Sequence, residues 1–207
     1  FSQYELAKPY HNINESVDGG ILDLAKRSMV FGNFISDVVG GLLDGTIENS
    51  VVNKVSKSAW SKTIEAADEA YVPGTFTTFA GYEFTSSTSE REALHRNVIF
   101  RGTERIPALP FTRFNSLNPE GLWAWMDNMR EQGVESLAIP HNSNGSNGAM
   151  FMFTDWAGNA IDQEYADLRS RNEPLVEITQ VKGTSDTHPL LSKNDEWANF
   201  EIFPLRT

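Results

Sequence analysis

The stretch Phe76-Thr-Thr-Phe-Ala-Gly-Tyr-Glu-Phe84, set beside His95-Arg-Asn-Val-Ile-Phe100, decides how the chain folds. Both segments are rich in aromatic and β-branched residues, the composition of a strand. Between them, Thr85 to Glu92 is polar and reads as a loop. If the two strands pair as a hairpin, the end of the first meets the start of the second. Glu83 and His95 then lie at one sheet edge, within reach of a single ion.

Downstream, Asn118-Pro119-Glu120 is a helix start: an N-cap side chain, proline at the first helical position and a carboxylate in the first turn. Leu122, Met126 and Met129 line one face of this helix, and Gly133 sits where a helix is commonly closed by glycine. Ser136 to Ile139 reads as a short buried strand halted by Pro140 and His141, and Asn142 to Gly148 has turn composition. A helix is expected over Asp162 to Arg171, a strand over Leu175 to Val181, and a polar turn over Lys182 to His188.

Upstream, a helix beginning at Asn49 or Ser50 carries the apolar stripe Trp60, Ile64, Ala67 and Tyr71 and ends before Pro73-Gly74. Residues 1–49 read as a loosely organised helical segment of one or two helices, with Gly40-Gly41 and Gly45 as stops. Strands alternating with helices point to an α/β fold, a mixed sheet with flanking helices and some parallel pairing.

The length of 207 residues favours one domain. Lys and Arg total 17 against 28 Asp and Glu, a net charge of −11 that repels phosphate backbones and argues against broad nucleic-acid binding. With no cysteine, disulfides, thiolate zinc sites and cysteine nucleophiles are excluded, so a transition-metal site must use imidazole and carboxylate. The most apolar run, Met29 to Leu43, is broken by Gly32, Asp37, Gly40 and Gly41, so no membrane span is expected. The compartment stays open.

Three of the four histidines sit beside expected strands. His141 follows Leu137-Ala-Ile-Pro140 at a strand's carboxyl end, His188 follows the turn after the strand ending near Val181, and His95 opens its own strand. Carboxyl ends of parallel strands are where α/β folds bind ligands. Neutral imidazole and ionised carboxylate there suit a divalent cation, which lowers the pKa of bound water and polarises a substrate oxygen. Each residue also has a plainer reading. A histidine near a strand end is often a hydrogen-bonded structural group, Glu83 can pair with Arg96 or Arg101, Asp186 and Thr187 can form an Asx-type turn, and His11 reads as an exposed bystander.

Several blocks together resemble a known bacterial family. Phe76 to Thr85, His95-Arg-Asn-Val-Ile-Phe-Arg-Gly102, Leu137-Ala-Ile-Pro-His-Asn142 and Glu177-Ile-Thr-Gln-Val-Lys-Gly-Thr-Ser-Asp-Thr-His-Pro189 resemble the DUF3604 family, related to the PHP (polymerase and histidinol phosphatase) phosphoesterases. Trp60, Glu65-Ala-Ala-Asp68 and Asn194 to Glu201 fit it too. The resemblance implies a distorted (β/α)7 TIM-like barrel with two or three divalent ions, Zn, Mn or Fe. It implies Glu83 as a bridging carboxylate, His95 and His141 as ligands, and Glu83 and His141 as the catalytic pair. Asn142 would hold a water or substrate oxygen, and Asp186 and His188 would be either ligands or substrate-facing groups. Arg96, Arg101 and Lys182 are candidates for binding a small anionic substrate.

The expected activity is metal-dependent hydrolysis of a phosphoester or related ester. The opening His-x-His and the following Asp-His of PHP proteins do not occur here. The resemblance therefore implies an internal fragment, an incomplete barrel with open sheet edges able to self-associate. It leaves two alternatives: a non-catalytic ligand-binding or structural domain, or a piece that is inert apart from an active parent protein.

Overall fold

A computed structural model describes residues 21–90 and 92–202. His11 and residues 1–20 of the N-terminal segment lie outside them. The chain divides into two units, Phe1–Lys62 and Thr63–Thr207, each taken by itself below.

The described part of the first unit is helical: α1 (Ile21–Asp44) and the start of α2 (Asn49–Ala70). Helix α1 runs through Gly40-Gly41, where the sequence suggests a stop, and ends at Gly45 instead. The reason is packing. The Ile47 amide donates to the Gly41 carbonyl over 2.8 Å, and a Cβ on Gly41 would stand 2.7 Å from the Ile47 side chain. Gly41 therefore serves a close approach within a continuous helix. Trp60 of the expected α2 stripe is buried. No helix of the described residues is long and apolar enough to cross a membrane.

The second unit is built on a three-stranded sheet of β1 (Gly81–Phe84), β2 (Arg96–Phe100) and β3 (Ser136–Pro140), in that spatial order. The hairpin forms as expected: β1 and β2 are antiparallel, with Phe84 opposite Arg96 and Glu83 opposite Asn97. It even extends beyond the named strands, through a bridge between Ser87 and Ala93 and a turn closed by Thr88 N–H to Glu92 O. Strand β3 pairs antiparallel with β2, Arg96 facing Pro140 and Val98 facing Ala138. The remaining pair, β4 (Thr179–Gln180) and β5 (Gly183–Thr184), is also antiparallel.

The fold is thus mixed α/β, but every named strand pair among the described residues is antiparallel, in place of the expected parallel pairing. The two sheets are open. Strands also prove shorter than the composition suggests. Phe76 is bonded back to Val72 in a tight turn and is 58 % exposed, so of the run before Gly81 only Ala80 reaches the sheet, its carbonyl accepting from the Phe100 amide over 3.0 Å. The expected strand over Leu175 to Val181 contracts to β4.

Side-chain alternation sorts the sheet into two faces. On β2 and β3 the even-numbered residues Arg96, Val98, Phe100, Ser136, Ala138 and Pro140 are buried. Helix α3 (Pro119–Glu131) contributes Leu122, Trp123 and Met126 to the core. Fully burying an aliphatic or aromatic side chain contributes roughly 1.5–3 kcal/mol, so this layer dominates the unit's stability. Helix α3 starts as read from the sequence: the Asn118 side chain accepts from the Glu120 amide, and Pro119 follows it. Gly133 has φ +76°, the left-handed residue after the helix. Helix α4 (Gln163–Asn172) is capped by Asp162 accepting from the Tyr165 amide.

Candidate functional site

Because even positions face the core, odd positions 83, 95 and 141 face the opposite side of the sheet. Antiparallel pairing brings the end of β1, the start of β2 and the end of β3 to one edge. Continuing the register by one residue places His95 beside His141, and the His141 amide donates to the His95 carbonyl over 3.2 Å. The two rings lie 5.8 Å apart between centroids, inclined by 26°.

Glu83 meets both. Its Oε1 is 3.2 Å from His141 Nε2 and 3.3 Å from His95 Nδ1. His141 is buried, whereas the Glu83 side chain is 45 % exposed, so the carboxylate forms the solvent side of the cluster. The His95 contact is within ion-pair distance but outside hydrogen-bond alignment, and His95 Nδ1 and His141 Nδ1 are both buried without a hydrogen-bond partner. Burial holds the His95 imidazole below its ordinary pKa, against the pull of Glu83 and with His141, Lys182 and Arg96 adding to the lowering. The three donors touch one another. Among the described residues no group of three or more His, Asp or Glu is arranged to hold a metal ion.

Beside this cluster lies a cavity of about 630 Å³, with His95, Asn142, Lys182, Asp186 and His188 in its wall. Two loops build it. After β3 the chain turns sharply at Asn142, whose φ of 60° and ψ of 33° are left-handed, a conformation asparagine tolerates. The Asn144 side chain then donates to the Lys182 carbonyl over 2.8 Å, the Asn144 amide to Ser185 Oγ over 3.1 Å, and Gln180 Nε2 to Asn142 Oδ1 over 3.2 Å. The β4–β5 hairpin is thereby tied to the loop that follows His141.

The predicted residues fall into three groups. Glu83, His95 and His141 are brought together. Asn142, Lys182, Asp186 and His188 line the adjoining cavity with His95, and no direct contact joins Asp186 or His188 to Glu83. Asp186 accepts from the Thr184 hydroxyl, a contact two residues back in the chain and not the Asx-type turn with Thr187, and His188 Nδ1 accepts from the Leu190 amide over 3.2 Å.

Arg96 departs from the substrate-binding role expected of it. It is buried on the core face, where Nε donates to Glu173 over 2.7 Å and Nη1 to the Leu94 carbonyl over 2.6 Å. Glu173 is also bonded by Trp123 Nε1 and Arg169 Nε. Alternation within β2 decides this: Arg96 is one residue from His95 and so points to the opposite face. Arg101 is exposed and not part of the cavity wall.

Glu177 opens one of the blocks quoted for the family resemblance, yet sequence reading gives it no role of its own. Its amide donates to the Pro140 carbonyl over 3.0 Å, and its Oε2 is buried without a partner. The signal available was a lone acidic residue in an otherwise apolar strand run, Leu175-Val-Glu-Ile178.

Residues 1–207 match the family described as Protein of unknown function (DUF3604). No curated protein and no solved structure matches the chain.

Proposed function

We propose that this chain, which belongs to the DUF3604 family, carries the central part of a divalent-metal hydrolase site of the PHP type, acting on phosphoester or related anionic ester bonds. The observation that carries the reading is the double contact of Glu83 Oε1 with His141 Nε2 and His95 Nδ1, at 3.2 and 3.3 Å. Ligands about 2.0–2.2 Å from one ion stand roughly 3.0–3.5 Å from each other, so these separations are compatible with shared coordination after small side-chain rotations. Two imidazoles and a carboxylate also suit Zn, Mn or Fe. The lowered pKa keeps His95 in the neutral form that ligation requires.

Glu83, His95 and His141 would hold the ion, with Glu83 and His141 closest to the chemistry. When bound, such an ion polarises an ester oxygen and acidifies a coordinated water. The chain's own residues supply the rest. Lys182 offers a cation to an anionic substrate, and Asn142 offers an amide at the cavity wall. Because His188 Nδ1 already accepts from Leu190, the neutral ring carries its proton on Nε2, which makes His188 a donor to substrate and not a ligand. Asp186, bonded to Thr184, fits the substrate-facing role as well. A distorted (β/α)7 barrel of the kind the resemblance implies would have to take in β1 to β3 as an antiparallel portion of its sheet.

A second reading, a ligand-binding domain without catalysis, is favoured by the donors' mutual contact and by the lack of a ready ion-holding group among the described residues. Elemental analysis after supplementation with Zn, Mn or Fe separates the two. The hydrolase reading expects stoichiometric metal that His141→Ala abolishes, together with metal-dependent hydrolysis of a nitrophenyl phosphoester. Metal-free protein after supplementation would leave the binding-domain reading standing.

A further inference from the structure

Lys182 is the only lysine or arginine among the described residues of the cavity wall, yet little in its own segment holds it there. Strands β4 and β5 pair over two residues each, Thr179 with Thr184 and Gln180 with Gly183. The turn between them is Val181-Lys182, and Val181 is 98 % exposed, so its apolar side chain anchors nothing. A two-stranded hairpin left to itself is marginally stable in water. What places this one lies outside it.

The ends of the hairpin are tied by Gln180 to Asn142 and by Thr179 and Thr184 to Glu201. Among the described residues only Asn144 reaches the turn itself. Its Nδ2 donates to the Lys182 carbonyl over 2.8 Å and its main-chain amide to Ser185 Oγ over 3.1 Å, while Ser185 Oγ donates back to Asn144 Oδ1 over 3.4 Å. A carbonyl only accepts, so the Lys182 contact fixes which end of the Asn144 amide faces the turn. One residue on, the Gly145 carbonyl accepts from the Ala93 amide over 3.1 Å, two residues before His95. A short hydrogen-bonded path therefore runs from Lys182 through Asn144 and Gly145 to the segment that carries His95.

We propose that Asn144 is a positioning residue for Lys182, holding the turn against the loop after His141 so that the ammonium stays over the cavity. The role rests on the reading of this cavity as the site of an anionic ligand. A lysine stem is long and flexible, so the carbonyl bond sets where the stem starts. Without that bond the turn samples more positions, and the ammonium spends less time over the anion.

The test is a double-mutant cycle on the full chain, read by calorimetric titration of inorganic phosphate at low salt. Asn144→Ala should lower the affinity by up to about fivefold, and by no more than Lys182→Ala does. Once Lys182 is alanine, Asn144→Ala should cause no further loss, because the two residues act as one unit. The loss should also shrink at high salt, where exposed charges are screened. Near-UV circular dichroism checks the fold, and Asn144→Ser, too short to reach the Lys182 carbonyl, replaces the alanine variant if that variant does not fold. A loss that persists in the Lys182→Ala background means that Asn144 supports the cavity in general, and overturns the proposal. Undiminished affinity in the folded single variant overturns it as well, and leaves the anionic-ligand reading standing. A native protein that binds no phosphate sinks that reading and the proposal together.

Discussion

His95 and His141 are neighbours across two antiparallel strands, joined by the His141 amide to the His95 carbonyl at 3.2 Å, with their rings 5.8 Å apart. The two residues are far apart in the chain, yet the backbone ladder alone fixes their separation. A site built this way is held by main-chain bonds and not by loop conformation, so its geometry should survive removal of a single side chain.

Glu83→Gln tests that directly. The carboxylate contacts both rings, and at 45 % exposure little of the core depends on it. Substitutions at such positions usually change stability by less than about 0.5 kcal/mol. The variant should unfold within a degree or two of the native protein while losing metal retained after supplementation, as read by elemental analysis. A large fall in thermal stability would mean that the contact is chiefly structural.

For Arg96 the expectation is reversed. Its guanidinium and the Glu173 carboxylate are each 2 % exposed and bonded at 2.7 Å. Removing one partner of a buried pair costs about 3–5 kcal/mol because a charge is left unpaired in the interior. Arg96→Met and Glu173→Ala should both lower the urea midpoint strongly. The glutamate change should be the worse, since it also strands Arg169 and the Trp123 indole N–H. A variant of Arg96 that keeps its stability but binds substrate less well would restore the role the sequence suggested.

That reversal marks where sequence reading stops. Asn118-Pro119-Glu120 and Gly133 carry their own local physics, so α3 was legible at both ends. The hairpin was legible from the composition of its strands, and with it the meeting of Glu83 and His95. The meeting of His141 with them depends on β3 pairing next to β2, a long-range choice that no local signal encodes. Arg96 and His95 differ by one residue and hence by face, but which face becomes core is settled only when α3 packs. Gly40-Gly41 has the composition of a stop, and only the approach of Ile47 explains why the helix continues.

Helix α4 is tied to α3 through Asp127, which accepts from Arg171 and Asn172 and pairs with Arg130. The Arg171 hydrogen bond is the main cause holding the Asp127 carboxyl below the ordinary aspartate value. A depressed folded-state pKa means that the unfolded chain takes up the proton first as pH falls. The contribution is therefore fully present above about pH 4 and disappears as pH drops through the lower folded value. Asp127→Asn should cost about 1.5 kcal/mol at pH 7, and its deficit against the native protein should shrink below pH 4 in thermal melts. A deficit that is constant with pH would show that the charge is not involved.

Lys182 offers the sharpest separation of binding from folding. It is exposed, lies in the cavity wall with His95 and His188, and engages the neighbouring loop only through its main-chain carbonyl, which accepts from Asn144. Replacing the side chain by alanine should therefore leave the loop tie intact and the melting temperature unchanged. An exposed cation contributes about 0.2–1 kcal/mol to an ion pair, which corresponds to a loss of up to about fivefold in affinity for an anion. The loss should shrink at high salt, because exposed charges are screened within about 10 Å at 0.1 M ionic strength. Titrating inorganic phosphate into native and Lys182→Ala protein at low and high salt, followed by the His95 and His188 imidazole signals, reads all of this at once. Equal affinity in the two proteins would remove Lys182 from the binding surface. Weakened binding with unshifted His95 signals would place the anion elsewhere in the cavity, away from the Glu83 cluster.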